Sequence, residues 1–132
     1  DESDPQYEMS KECFDILSRE TDAKGRKFKI HKIPQPKPVF MTDYECEGLI
    51  NFNGKPTRTA DERLAASYVN FYISNDAVIM PGFNDENDER AREIIQDIFK
   101  DREVIQIYAR DILIGGGNIH CITQQIPIFG GR

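Results

Sequence analysis

The chain has 132 residues, of which 30% are charged and 39% hydrophobic, a composition typical of one soluble domain of ordinary size. Its net charge of -6 and the lack of a basic stripe argue against nucleic acid as a partner, and no apolar run approaches the ~18 residues that a membrane helix needs. The three cysteines, Cys13, Cys46 and Cys121, are odd in number and lack zinc-finger spacing, which favours a reducing cytoplasm over a disulfide framework.

The first predicted element is a helix that starts at Asp4 and Pro5, because these residues suit the N-cap and the first helical position. Its apolar positions recur at helical spacing, at Tyr7, Phe14 and Leu17. Gly25 follows the pattern and is expected to end it.

A short strand is predicted next, because Phe28 and Ile30 alternate with polar neighbours. His31 is expected on its solvent-facing side. Three prolines between positions 34 and 38 end this strand and predict an extended connector. A long loop should follow from about Val39 to Arg63, with a helical turn around Asp43 to Leu49.

A β-hairpin is predicted over residues 67–80, with its turn at Asn75 and Asp76. Asn70 lies on the polar-leaning face of the first strand, where it either lines a functional channel or serves structure, and the structural interpretation is preferred. Pro81 and Gly82 are expected to end the second strand.

A helix with an acidic first turn is predicted from Asp85 onward, followed by a strand from Val104 to Tyr108. The acidic run suits a solvated helix start better than a metal site. The buried stripe of this helix is expected at Ile94, Ile95, Ile98 and Phe99. The last predicted element is an alternating strand from Asn118 to Gln125. Together the predicted helices and strands indicate a mixed α and β fold class (α+β).

Three consecutive glycines, Gly115 to Gly117, let the backbone approach a ligand closely or adopt positive φ. A phosphate cradle is disfavoured, because no Lys-Ser/Thr pair follows and a strand rather than a helix is expected next.

Cys121 is a candidate nucleophile, with a structural cysteine behind a glycine turn as the alternative. His120 is its neighbour, but successive side chains of a strand point to opposite faces, so the partner histidine should come from elsewhere. His31 is the only other histidine in the sequence.

Two blocks resemble agmatine deiminases: Leu64-Ala-Ala-Ser-Tyr-Val-Asn-Phe-Tyr-Ile73, and Gly115 through Gln125 followed by Pro127. Connecting segments fit as well, among them Asp22-Ala-Lys-Gly-Arg26 and Ala109-Arg-Asp-Ile112. The resemblance runs from Asp1 to about Pro127. The glycine-asparagine-X-His-Cys block is specific, and it recurs more loosely in peptidylarginine deiminases.

The resemblance implies a pentein fold, a β/α-propeller of five modules, of which residues 1–132 would supply the last, C-terminal part of the catalytic domain. It implies hydrolysis of agmatine to N-carbamoylputrescine and ammonia in putrescine synthesis, without metal or organic cofactor. Cys121 matches the family's nucleophile, which forms an amidino-cysteine intermediate. Gly116, Gly117 and Asn118 would shape the backbone against the substrate, with Asn70 as a weaker candidate. Full-length family members are often homodimers.

The family's His-X-Asp motif and its acidic and aromatic substrate contacts are absent from this sequence. Since a buried guanidinium without anionic partners is costly, the chain alone is expected to be inactive. The alternatives are a peptidyl-arginine deiminase of the same superfamily and a non-catalytic interaction fragment. An incomplete propeller should aggregate through exposed strand edges, whereas a self-contained module should not.

Overall fold

A computed structural model of the chain describes residues 2–49, 52–54 and 57–127. The chain divides into two compact units, Asp1–Lys32 and Ile33–Arg132. No helix in the part that the structure describes is long and apolar enough to cross a lipid bilayer.

The first unit contains the predicted N-terminal helix, α1, which spans Tyr7–Arg19. The prediction placed its start two residues too early, because Gln6 rather than Asp4 is the N-cap. The Asp4 carboxylate instead accepts the backbone N–H of Gln6 at 2.8 Å and closes a turn before the helix. Nothing on α1 is buried, and the ring of Phe14 lies 4.2 Å from the Lys32 ammonium.

The strand predicted at Phe28 and Ile30 is wrong, because these residues join no β-ladder. The nearest pairing is an isolated antiparallel bridge between Thr21 and Lys27. Gly25 closes that turn in the left-handed region, with φ +75°, and does not end α1, which ends at Arg19. His31 is exposed, as predicted.

The second unit is built on a three-stranded sheet, with β1 Tyr72–Ile73, β2 Ala77–Gly82 and β3 Glu103–Tyr108 in that order. The hairpin prediction is confirmed, since β1 and β2 are antiparallel, but β1 is shorter than expected. β3 runs parallel to β2, from Ala77 opposite Glu103 to Gly82 opposite Tyr108. The fold is therefore mixed α and β.

Pro81 does not end β2, contrary to the prediction. β1 bonds to β2 only as far as Ile79, so the missing N–H of Pro81 faces an edge where no strand requires it. The carbonyl of Pro81 accepts the side-chain amide of Gln106 at 3.3 Å. The strand thus continues through Gly82, whose carbonyl accepts the N–H of Ala109 at 3.0 Å.

Helix α3 spans Asp88–Ile98 and connects β2 to β3 across one face of the sheet. Its predicted acidic first turn is confirmed for Asp88 and Glu89, but Asp85 and Glu86 precede the helix. Ile98 is exposed, and Ala91 with Ile95 forms the buried stripe. The core that joins helix and sheet consists of Tyr68, Val78, Met80, Ala91, Ile95 and Val104. Asp88 fixes the start of α3, because its carboxylate accepts the Tyr68 hydroxyl at 2.7 Å and the backbone N–H of Phe83.

The predicted helical turn in the long loop is confirmed as α2, Asp43–Glu47, with a capping box between Thr42 and Glu45. Residues 50, 51, 55 and 56 of this loop lie outside the described part. Helix α4, Arg110–Ile114, follows β3, and the Arg110 guanidinium forms a bidentate pair with Glu45, both bonds at 2.8 Å. A second core of Met41, Leu64 and Leu113 lies between α4 and this loop.

The last predicted strand, Asn118 to Gln125, is wrong. His120–Ile122 forms a short 3₁₀ helix, Thr123 after it is extended, and residues 123–127 belong to no strand. The Asn118 carbonyl accepts the N–H of Ile122, and the His120 carbonyl accepts that of Thr123. The turn therefore closes on its own backbone instead of joining the sheet.

Candidate active site

The candidate nucleophile lies at the end of the sheet where β2 and β3 finish. β3 leads into α4, and α4 leads through Gly115–Gly117 to the 3₁₀ helix that carries Cys121. β1 is antiparallel to these strands, so the segment just before Tyr72 lies at the same end. The fold thereby brings Asn70 to Cys121 across 51 positions of sequence. Open α/β sheets place ligand sites at this end of their parallel strands.

The thiol of Cys121 is exposed and lines an open cleft with Asp111, Ile112, Ile122 and the three glycines. Asn70 donates a hydrogen bond from Nδ2 to Sγ of Cys121 at 3.2 Å. This bond lowers the pKa of the Cys121 thiol, and the backbone N–H groups of Asn118 and of Cys121 itself lower it further. More of the sulfur is therefore thiolate, the nucleophilic form, at neutral pH.

Gly117 is required for a steric reason. A Cβ atom at Gly117 would lie 2.6 Å from Cβ of Cys121 and 3.0 Å from its Sγ, both too close for non-bonded atoms. The glycine therefore leaves the space that the nucleophile occupies.

Gly116 is required for its backbone conformation, with φ +101°. A Cβ there would also meet the guanidinium of Arg58, 2.7 Å from Nη2. Arg58 belongs to the long loop, and nothing in its local sequence signals that it lies against the glycine segment.

The side chain of Asn118 is buried, so any contact with a substrate would be made by its backbone. Its Oδ1 accepts the N–H of Ile119 at 2.9 Å. Its Nδ2 is buried without a hydrogen-bond partner among the described residues. An unpaired buried donor is uncommon and costs stability, so this amide is a point where a further acceptor would fit.

Among the described residues, no hydrogen bond joins a histidine side chain to Sγ of Cys121. His120 uses its backbone N–H to bond the Asn70 side chain, and Sγ of Cys121 is hydrogen-bonded to the Asn70 amide. The strand alternation that separated His120 from Cys121 is absent, so that argument does not apply. His31 belongs to the first compact unit.

Within the described ranges, no group of three or more His, Cys, Asp or Glu side chains is arranged to hold a metal ion. The acidic residues at the start of α3 bond backbone N–H groups or basic side chains instead. Asp88, for example, accepts the N–H of Phe83 and that of Asp85.

The family model for Porphyromonas-type peptidyl-arginine deiminases matches residues 1–127. A Listeria monocytogenes protein provisionally named agmatine deiminase 1 is 59% identical over 127 residues, and a Latilactobacillus sakei protein provisionally named agmatine deiminase is 54% identical over 127 residues. Each match covers 96% of this chain and 35% of the relative, so the chain spans about a third of the length of these curated relatives.

Solved structures of the same kind superpose well on the chain. The agmatine deiminase of Enterococcus faecalis has a TM-score of 0.87 at 38% identity, and the match covers 96% of this chain and 34% of that one. A Porphyromonas gingivalis protein provisionally named arginine deiminase has a TM-score of 0.78 at 28% identity, covering 96% of this chain and 32% of that one. The resemblance to agmatine deiminases indicated by the two sequence blocks is confirmed.

Proposed function

The chain belongs to the Porphyromonas-type peptidyl-arginine deiminase family, and on that premise we propose that it is the C-terminal part of an agmatine deiminase. The observation that carries the proposal is the exposed Cys121 thiol, which accepts a hydrogen bond from Asn70 and fits into the space left by Gly117. The agmatine deiminase names of the similar proteins support the choice of substrate.

In the proposed reaction, the Cys121 thiolate attacks the guanidinium carbon of agmatine. The carbon–nitrogen bond to one terminal nitrogen breaks, and that nitrogen leaves with an added proton as ammonia. An amidino group then remains bonded to sulfur. Water adds to its carbon, loses its protons, and the carbon–sulfur bond breaks, which releases N-carbamoylputrescine and restores the thiolate.

The described residues account for the nucleophile and not for the proton transfers. Departure of ammonia needs an acid and attack of water needs a base, and each must come within hydrogen-bond reach. Family resemblance assigns these roles to a His-X-Asp motif that is not in this sequence. We therefore propose that residues 1–132 supply the nucleophile and are inactive alone, with the remaining two thirds of such an enzyme supplying the proton-transfer histidine and the guanidinium-binding carboxylates.

The fold supports a place in a pentein propeller. The succession of β1, β2, α3 and β3, in which α3 covers one face of the sheet, is what such an αβ module would require. We propose that this unit is one of the last modules of a five-module propeller, whose central channel would face Cys121. The backbone of Gly116, Gly117 and Asn118 would border the substrate there.

A reducing cytoplasm is the proposed location, because the mechanism needs a free thiolate and the three cysteines are unpaired. Agmatine is the proposed small-molecule partner. A homodimer of the full-length enzyme remains a prediction.

The alternative activity is hydrolysis of arginine within a peptide, which the description of the family model favours. The same nucleophile would serve both reactions, since both begin at a guanidinium carbon. The names of the curated relatives favour agmatine.

A chimera tests the proposal: residues 1–127 replace the matching segment of the Enterococcus faecalis agmatine deiminase, where the two share 38% identity. The chimera should release ammonia from agmatine. Acid quenching during turnover should leave an amidino adduct on the peptide that contains Cys121. Cys121→Ser should abolish both, whereas Cys13→Ser, at an exposed position on α1, should leave both unchanged.

Activity that survives Cys121→Ser, with no adduct on Cys121, would refute the assignment of the nucleophile. A folded chimera that hydrolyses a peptidyl-arginine substrate but not agmatine would favour the alternative activity.

A further inference from the structure

The side chain of Asn70 touches the reacting atom of the proposed mechanism, since its Nδ2 lies 3.2 Å from Sγ of Cys121. We infer that Asn70 is a catalytic residue that stabilises the thiolate of Cys121 through this hydrogen bond. Its catalytic meaning rests on the proposed function, but the bond and its effect on the thiol do not.

The orientation of the Asn70 amide is fixed by its other partner. Oδ1 accepts the backbone N–H of His120 at 2.9 Å, which the backbone carbonyl of Asn70 also accepts at 3.2 Å, and a backbone N–H can only donate. The amide therefore has to present its NH₂ group to the sulfur. A thiolate can only accept, so the charged form of Cys121 matches this orientation, whereas the neutral thiol can donate only to the more distant Oδ1, at 3.7 Å.

The residues on either side of Asn70 are anchored by side-chain contacts. Two residues earlier, Tyr68 is buried and donates its hydroxyl to Asp88 at 2.7 Å. One residue later, Phe71 packs edge-on against Phe99 at 5.6 Å between ring centroids. Tyr68 ties the segment to Asp88 on α3, and Phe71 ties it to Phe99, which follows α3. Little conformational freedom is therefore lost when the amide bonds the thiolate.

A neutral donor suits this reaction better than a cation. A lysine or arginine bonded to Sγ of Cys121 would favour the thiolate, but it would repel the positively charged guanidinium whose carbon the sulfur attacks. Arg58 lies against Gly116 and is not among the groups that lower the pKa of Cys121. The pKa of Cys121 is lowered first by the Asn70 amide and then by backbone N–H groups, all of which are uncharged. Cys46 shows the contrast, because burial first and then nearby carboxylates such as Asp43 raise the pKa of its thiol.

The test is the pH dependence of alkylation by iodoacetamide in the 132-residue chain, measured for each cysteine by peptide mass spectrometry. In the native chain, the midpoint for Cys121 should lie below that for Cys46 and below that for Cys121 in the same chain unfolded in urea. Asn70→Ala removes the donor and should raise the Cys121 midpoint by about one pH unit, which makes alkylation about tenfold slower below the midpoint.

Asn70→Asp separates donation from support of the backbone. The carboxylate keeps an acceptor for the His120 N–H but lacks the NH₂ group and adds a negative charge beside sulfur. It should raise the midpoint by more than Asn70→Ala does. Asn75→Ala, a matched change at an exposed position in the hairpin turn, should leave the Cys121 midpoint unchanged.

A rise in Asn70→Ala without a rise in Asn70→Asp would mean that Asn70 only supports the loop, and would overturn the inference. So would an unchanged midpoint in both variants. If neither variant folds, the wild-type comparison decides, because equal midpoints in the native and unfolded chain would show that nothing in the fold stabilises the thiolate.

The outcome is independent of the proposed function, because the assay contains no agmatine. A chimera without activity leaves the alkylation result intact. Conversely, an active chimera whose ascending limb of kcat/KM against pH does not move upward in Asn70→Ala would retain the deiminase assignment and reject the role of Asn70.

Discussion

Replacing Gly117 by alanine is the smallest change that the structure predicts to disturb the nucleophile. The added Cβ would lie 2.6 Å from Cβ of Cys121, whereas non-bonded carbon atoms rest at about 3.5–4.0 Å. The 3₁₀ helix that carries Cys121 therefore has to move by about 1 Å. The hydrogen bond from Asn70 to sulfur, 3.2 Å long, would then be stretched or broken.

Two effects should follow. Overpacking of this kind costs about 1–3 kcal/mol, and since this loop is largely exposed the loss should fall near the lower end. The midpoint of Cys121 alkylation should rise, because the thiolate loses its principal donor. Urea unfolding measures the first effect, and alkylation resolved by peptide mass spectrometry measures the second.

Gly48→Ala is the matched control. Gly48 has φ -75°, which any residue adopts, and a Cβ there would meet only the carbonyl oxygen of Glu45 at an ordinary 3.6 Å. It should leave stability and Cys121 alkylation near their wild-type values. If Gly117→Ala behaves like Gly48→Ala in both assays, the close packing of Gly117 against Cys121 is wrong.

Three further predictions concern the frame around the site. The Arg110 side chain holds the pKa of Glu45 at about 2, below its ordinary 4.5, so the stabilisation is complete above about pH 4.5 and is lost as pH falls towards 2. Both side chains keep some contact with water, so Glu45→Gln should lower the free energy of unfolding by about 1 kcal/mol at pH 7 and by less at pH 3. Equal losses at the two pH values, measured by urea unfolding, would contradict this. Tyr68→Phe removes the hydroxyl that bonds Asp88 and should lower the free energy of unfolding by about 1–2 kcal/mol, which a wild-type urea midpoint would disprove. Ile107→Lys, on the β3 edge strand, should reduce concentration-dependent self-association in sedimentation velocity, and unchanged association would mean that this edge is not the contact.

Local patterns in the sequence predicted the elements whose residues bury one face. The apolar spacing of α3 and the alternation of the hairpin both reflect contact with one core, and both elements are present. The same reasoning failed for the strand predicted from Asn118 to Gln125. The apolar side chain of Ile122 in this segment is 67% exposed and does not pack against a core. An alternating sequence whose apolar side chains are not buried does not indicate that the segment pairs with another strand.

Pro81 shows a second limit of local rules. Proline is excluded from a strand only where its missing N–H would have to bond a neighbour. Whether it does depends on the length of β1, which ends its pairing with β2 at Ile79. The length of β1 is set by tertiary packing, so it cannot be predicted from the pattern of a single sequence.

The nucleophile and its environment differ in how far sequence can identify them. Cys121 and Gly117 are four residues apart, so both residues that pack against each other belong to one short motif that can be recognised in the sequence. Asn70 meets the same sulfur from 51 positions away, and only the antiparallel return of β1 brings it there. The polar-leaning face of its strand was the one local signal.

The chemistry of the proposed reaction also falls into two parts, stabilisation of the thiolate and recognition of the substrate with proton transfer. The contacts that favour the thiolate come from Asn70, Asn118 and the backbone of Cys121, all within this chain. Recognition of a guanidinium needs carboxylates, and the transfer of protons needs a base that reaches sulfur or the leaving nitrogen. Ionisation of Cys121 should therefore be a property of the 132-residue chain, while turnover should require the chimera. If the chain alone had an ordinary Cys121 midpoint and the chimera a lowered one, activation of the thiol would have to come from residues outside this chain.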